Sequence, residues 1–412
     1  QVFSYLAAHT LGAHVENGRI LSTAAANLAG NGLDNLLEAG TGNNVLDGAG
    51  GIDTVSYLYG ASGGVSVSLA ISGAQATGGS GSDTLISIDN LSGSTYNDLL
   101  RGDGNANVLA GGQGNDFLDG GAGSDTLDGG AGNDTLWGGT GADSLVGSDG
   151  ADSYYIDHAG DSVTESNANP ATGGIDLVYS SLSAYTLGAN VESGRILSTG
   201  TASLSGNALD NLLYAGAGNN FLDGAGGNDT VSYLYGASSG VSVSLAILGA
   251  QATGGSGSDT LTGIEHLVGS THADTLSGDG SANRLEGGNG NDTLAGGAGN
   301  DTLLGGVGAD TFRFDTRPNA ATNRDTIGDF NVLDDTIQLE NAIFASLLNP
   351  GTLAAGSFRA GAGVSAAADA DDFVIYDSSS GALYYDANGN TGAGAVQIAS
   401  LGSGLTLSSL DF

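Results

Sequence analysis

Aspartate, once replaced by asparagine, returns at every ninth residue between Gly93 and Tyr155. Seven contiguous nonapeptides fill that stretch, and their sixth positions hold Asp98, Asn107, Asp116, Asp125, Asp134, Asp143 and Asp152. Five more fill 269–313, with Asp274, Asn283, Asp292, Asp301 and Asp310 at the same place. Asp53, Asp83, Asp229 and Asp259 occupy it in isolated or degenerate units. A carboxylate is a hard oxygen donor, and glycine at positions 1, 2 and 4 lets the backbone take turns closed to other residues. Gly112, Gly114, Gly121, Gly123, Gly130, Gly132, Gly139 and Gly141 are such positions in the first run, and Gly288, Gly290, Gly297 and Gly299 in the second. The chemistry this spacing offers is the binding of hard cations between carboxylates and turn carbonyls.

Catalytic arrangements are not legible. His9, His14, His158, His266 and His272 form no His-Glu-x-x-His. Gly60-Ala-Ser-Gly-Gly64 and Gly236-Ala-Ser-Ser-Gly240 match Gly-x-Ser-x-Gly only in form, without the strand–turn–helix setting of a nucleophile elbow. No enzymatic activity is expected.

The formal net charge of the 412 residues is −37, and all 8 cationic side chains are Arg. Such a chain repels nucleic acid and anionic membranes, and no apolar run is long enough to span a bilayer. There is no Cys, so extracellular stability would rest on something other than disulfides, with metal the obvious substitute. The chain begins without Met, which suggests a processed chain or fragment.

A longer repeat contains the short one. Thr10-Leu-Gly-Ala-His-Val-Glu16 returns as Thr186-Leu-Gly-Ala-Asn-Val-Glu192, and Asp53-Thr-Val-Ser-Tyr-Leu-Tyr-Gly60 as Asp229-Thr-Val-Ser-Tyr-Leu-Tyr-Gly236, both at an offset of 176. More repeat is expected upstream of Gln1. The first copy spans 1–176: a degenerate nonapeptide trio at 30–56, an alternating strand at 64–70, repeats over 78–155 and a connecting segment at 156–176. The second spans 177–313, with its trio at 206–232 and repeats over 254–313. Period-2 alternation in 314–412, as in Thr311-Phe-Arg-Phe314 and Phe373-Val-Ile-Tyr376, predicts a C-terminal antiparallel β-domain. Only Asn341–Leu348 hints at a helix.

The nonapeptide resembles the Ca²⁺-binding repeat of RTX proteins. That resemblance implies an all-β fold, a right-handed parallel β-roll in which two nonapeptides close one 18-residue coil. Repeats two apart then stack at about the 4.8 Å strand spacing, placing Asp98, Asp116, Asp134 and Asp152 in one column and Asp125 and Asp143 in the other, with Asn107 a weaker member. Multiple Ca²⁺ ions, roughly ten if one lies between each stacked pair, would join the columns. Position 8 should point inward, each aliphatic contributing about 1.5–3 kcal/mol. One such residue per nine cannot offset an ordering cost of about 1–2 kcal/mol per residue, so folding should be coupled to calcium. Trp137, at position 9, should face outward beside Arg101, Asp119 and Tyr155, either as a protein or glycan contact or packed on the segment after Tyr155. Asp386-Ala-Asn-Gly-Asn390 resembles the opening of another calcium loop, and Asp325-Thr-Ile-Gly-Asp329-Phe an element that closes the last coil.

By the same resemblance, the chain would leave a bacterial cell unfolded through type I secretion machinery. Leu405-Thr-Leu-Ser-Ser-Leu-Asp-Phe412 looks like the end of such a signal, and folding would follow outside, in the extracellular space or at the cell surface. Two functions are compatible with this. One is a structural surface protein, adhesin, S-layer or fibre, able to self-associate. The other is the calcium-folding carrier end of a secreted enzyme or toxin.

Overall fold

The computed structural model describes residues 1–167, 169, 171–389 and 394–412. Among them the structure is all-β, and the only helical pieces are the 3₁₀ turns Ala355–Ser357 and Ser409–Asp411. No helix among the described residues is long and apolar enough to cross a membrane. The chain divides into two compact units, Gln1–Leu197 and Ser198–Phe412.

The first unit is built from short parallel strands joined by glycine turns. One stack of nine runs from Val2–Ser4 to Ser162–Thr164. Within it Leu91, Leu109, Leu127, Leu145 and Val163 lie in register. The alternate nonapeptides form a second stack from Ser66–Ser68 through Leu99–Arg101, Phe117–Asp119 and Thr135–Trp137 to Ser153–Ile156, Leu177–Ser180 and Ser193–Ile196. The shift between neighbouring strands is 18 residues wherever the repeat is uninterrupted, as in Leu100 on Leu118 on Leu136 on Tyr154. Between Tyr154 and Val178 it is 24 residues, because the chain loops out between the two rungs.

In the nonapeptide runs each strand is only a few residues long, so position 8 supplies the one side chain that reaches the interior. Leu100, Leu109, Leu118, Leu127, Leu136 and Leu145 have no solvent exposure, as position 8 requires. Their position-9 neighbours face outward and stack in the column expected of them. Arg101 pairs with Asp119 at 3.6 Å. Trp137 tilts over Tyr155 at 5.8 Å, and Tyr155 stacks on Tyr179 at 4.6 Å. The indole therefore packs on Tyr155 itself, and it is Tyr155 that meets the following segment, while Trp137 remains 46% exposed.

Gly78–Ile86 departs from the expected nonapeptide. Gln75–Gly78 turns back antiparallel on Gly81–Ile86, and the latter strand stacks parallel on Asn44–Ala49. The glycines open a hairpin here because the preceding segment, Ser66–Ser68, alternates apolar and polar residues and has joined the other stack.

In the second unit the same pattern returns. Leu212–Tyr214, Thr230–Ser232, His266–Val268, Arg284–Asn289 and Thr302–Val307 stack in parallel. So do Ser242–Ser244, Thr275–Ser277, Thr293–Ala295 and Thr311–Phe314. The parallel register continues past Phe314, where the antiparallel domain was expected to begin. Asp325–Ile327 stacks on Thr302–Val307, and Thr336–Leu339 on Thr311–Phe314. Phe330 packs against Phe312 at 5.9 Å. The Asp325–Phe330 element thus adds to the coil, as its sequence suggested. Beyond Thr336–Leu339 the strands Val374–Asp377, Ala382–Tyr385 and Val396–Ser400 pair antiparallel, and the last of these returns to pair in parallel with Asp325–Ile327. Asn341–Leu348 is a series of turns, not a helix; Phe344 anchors it, buried and edge-on to Tyr385 at 4.8 Å.

Candidate metal ladders

The turn between strands is set by two glycines. All twelve candidate glycines at positions 2 and 4 have φ between 83° and 143°, a region that favours glycine. A Cβ added at Gly130 would press on the backbone of Gly112 one rung away. At position 1 the glycine leaves a small cradle. A Cβ built on Gly120 would lie 2.5 Å from the Gly138 carbonyl and 2.6 Å from Asp125 Oδ2. Three groups therefore line this space: a carboxylate, a turn carbonyl of the next rung, and a bare Cα.

The aspartate that closes the cradle is held by its neighbour. The backbone N–H of Asp98 donates to Asp116 Oδ1 at 2.7 Å, that of Asp116 to Asp134 Oδ1 at 2.7 Å, and that of Asp134 to Asp152 Oδ1 at 2.7 Å. In the other column Asn107 donates to Asp125 at 2.7 Å and Asp125 to Asp143 at 2.8 Å. The second unit repeats this from Asp274 to Asp292 to Asp310, and from Asn283 to Asp301, each at 2.8 Å. One oxygen of each carboxylate is thus fixed by the ladder. The other has no partner: Oδ2 of Asp53, Asp116, Asp125, Asp134, Asp143, Asp152, Asp229, Asp292, Asp301 and Asp310 is buried and unbonded.

A buried charged oxygen without a partner is strongly unfavourable. Burial is the largest cause of the raised pKa of Asp98, Asp116, Asp125, Asp134, Asp143, Asp152, Asp292, Asp301 and Asp310. It pushes Asp116 and Asp134 up to about 7, and Asp125, Asp152 and Asp292 up to about 6, with neighbouring carboxylates adding to the shift. A cation of the calcium type removes both penalties, since it takes six to eight oxygens from carboxylates and carbonyls. The orphaned oxygens and the glycine cradle fit that ion.

Comparison with known families agrees. The model of the RTX calcium-binding nonapeptide repeat matches residues 27–56, 86–118, 119–154, 198–233, 262–294 and 277–312. The chain carries RTX calcium-binding repeats. No curated protein matches it.

The RTX pattern tolerates asparagine at position 6, and the structure shows how. Asn107 Oδ1 accepts from the Asp103 N–H at 2.9 Å, while its Nδ2 donates to the Asp89 carbonyl at 2.7 Å. Asn283 does the same with Asp279 and with the Glu265 carbonyl. Asn35 Nδ2 reaches the Glu16 carbonyl at 3.1 Å, and Asn44 Nδ2 the Ala26 carbonyl at 3.3 Å. The amide NH₂ thus supplies a donor where aspartate has only acceptors, and in these four rungs it finds a backbone carbonyl.

Four of the expected ligands sit differently. Asp98 accepts from Ser94 Oγ and from the Val65 N–H, and Asp274 from Ser270 Oγ and the Val241 N–H. Asp83 accepts from the Asn44 N–H and Thr77 Oγ1, and Asp259 from the Asn220 N–H and Thr253 Oγ1. Serine or threonine hydroxyls meet carboxylate oxygens here. Asp53 and Asp229 do belong to ladders, accepting from Asn35 at 2.8 Å and Asn211 at 2.7 Å. Asp386 is fully buried with Oδ2 unbonded, but Asn390 and Thr391 of that loop lie outside the described residues.

The ladders also run further than the nonapeptides. Asp143 donates to Asp161, Asp152 to Asp176, Asp301 to Asp325 and Asp310 to Asp335. Asp53 donates to Asp89, and Asp229 to Glu265. Insertions hide Asp176, Asp325 and Asp335 from a nine-residue count, whereas Asp161 keeps the 18-residue shift but sits in a unit without glycine at positions 1, 2 and 4. Their common signal is an acidic residue two places before an inward aliphatic, as in Asp161-Ser-Val163, Asp176-Leu-Val178, Asp325-Thr-Ile327 and Asp335-Thr-Ile337.

Proposed function

We propose that this chain is a secreted structural protein whose two units fold on extracellular calcium, that it forms part of a repetitive surface layer, adhesin or fibre, and that it has no catalytic role. The observation that carries the calcium-dependent part is the series of buried Oδ2 atoms without partners, each beside a glycine cradle. The duplication supports a structural role, since the same carboxylate geometry is built in both units and serves no evident reactive centre. A chain of net charge −37 without bound cations resists compaction, which suits export in an unfolded state through type I machinery.

The test is a calcium titration of the metal-stripped chain, followed by far-UV circular dichroism, light scattering and electron microscopy. Calcium should convert a disordered spectrum to a β spectrum. Particles larger than the monomer should then appear at the same or higher calcium. An unchanged spectrum in chelator would refute the folding role. Monomers at saturating calcium would refute assembly by this chain alone.

A further inference from the structure

At the far end of the first ladder three carboxylates meet. Asp152, Glu165 and Asp176 each offer an oxygen within 4.8 Å of the others. All three are buried, with exposures of 1%, 5% and 1%. Asp152 is the last nonapeptide aspartate of the run. Asp176 follows the looped-out segment and takes the next rung of the column, accepting from the Asp152 N–H at 2.8 Å. Its own N–H donates to Glu192 Oε2 at 2.9 Å.

Glu165 comes from the other stack. Val163 sits on Leu145, so Glu165 stands where the ladder has a position-1 glycine, one coil beyond Gly147. A Cβ on Gly147 would strike the Tyr154 hydroxyl, Asp152 Oδ2 and Glu165 Oε1 together. The glutamate therefore reaches into the cradle with its side chain. Tyr154 donates its hydroxyl to Glu165 Oε1. Oε2 of Glu165 and Oδ2 of Asp152 have no partner. Among the described residues no Arg or His forms an ion pair with any of the three.

The second ladder provides a contrast. Leu303 carries Ile327, so Asp329 holds the place of Glu165. It is one methylene shorter and accepts from the Gly305 and Gly306 N–H groups at 3.0 and 2.9 Å. Both of its oxygens have backbone partners, and none is left over.

We propose that Asp152, Glu165 and Asp176 form a separate divalent-cation site, suited to a hard ion such as Ca²⁺, that caps the first ladder. It differs from the nonapeptide sites in taking carboxylates from three successive segments, two of them outside the repeat. Three carboxylates on one cation favour tight binding, and burial together with its two acidic neighbours pushes Glu165 up to about 8 when no ion is present. The proposal rests on the calcium reading of the ladders through Asp152 alone.

The test counts ions in the full chain after stripping and equilibration with calcium, by inductively coupled plasma mass spectrometry. Glu165→Gln should bind one ion fewer than wild type, and Asp329→Asn should bind the same number. Equal counts in wild type and Glu165→Gln would overturn the site while leaving the ladders standing. A wild-type chain that holds no calcium would overturn both. Crystals of wild type grown with Tb³⁺ give an answer that does not depend on a variant folding. An anomalous peak bounded by the three carboxylates is expected; ladder peaks without one there would show a cluster that shares protons only, and would sink the proposal.

Discussion

Asparagine and aspartate at position 6 differ by one atom and solve the same problem in opposite ways. Asn107 supplies its own donor to the Asp89 carbonyl; Asp125, stacked above it, leaves Oδ2 for an ion. Asp125→Asn should therefore lose one calcium per chain and keep its rung. Asp125→Ala should lose the ion and also unpair the Asn107 N–H, at about 1–3 kcal/mol. Ion counting and denaturant midpoints in calcium separate the two. Proton linkage has the opposite sign to ordinary acid denaturation. The ladder carboxylates have folded pKa values raised by burial to about 6 and 7, above the unfolded range. Their contribution to the metal-free fold is complete below about pH 4 and is lost as pH rises through 6 to 7. A calcium-stripped chain should gain β structure in far-UV circular dichroism as pH falls from 7 to 4. The calcium-loaded chain should lose ions over the same interval.

At the scale of the rung, a leucine and two glycines share the work. Leu127 is fully buried between Leu109 and Leu145, and Leu127→Ala should cost about 2–5 kcal/mol in calcium, read from the denaturant midpoint. Some rungs violate the glycine rule. Ala225 holds φ of 67° at a position 2 that the pattern gives to glycine. Ala225→Gly should raise stability by about 1 kcal/mol, since the left-handed region strains a residue with a Cβ. Most of this level was legible in the sequence, because a nine-residue period fixes which side chain turns inward and which backbone positions must be glycine. The hairpin at Gln75–Ile86 was not legible. Its glycines satisfy the same local pattern, and only pairing with Asn44–Ala49, 39 residues away in register, decides otherwise. Asp176, Asp325 and Asp335 were missed for a related reason: the ladder counts rungs in space, whereas the chain inserts residues between them; Asp161 keeps the period but lacks the glycines that mark a repeat.

The whole molecule is a chain of net charge −37 whose nonapeptide runs bury one position-8 side chain per rung. Monovalent salt screens repulsion between exposed charges but leaves the buried oxygens without partners. Small-angle scattering in chelator should therefore show an expanded chain at low and high sodium chloride alike. Addition of millimolar calcium should reduce its radius of gyration, and magnesium should do so less well, because it demands a tighter octahedral shell. Recovery of the compact dimension in salt alone would contradict the role assigned to the ion. The extent of the parallel register past Phe314 belongs to this scale too. Alternation in Thr311–Phe314 reads equally as parallel or antiparallel from sequence, and its partner Thr336–Leu339 settles the matter.

Trp137 is the only tryptophan of the chain, and it lies on the outer row of the first unit, against Tyr155 and two rungs before Tyr179. Its emission accordingly carries a signal from one unit of a duplicated protein and is silent about the other. Set beside far-UV circular dichroism, which reads both halves, it tells whether the first acquires structure before the rest, with no label introduced and no half removed.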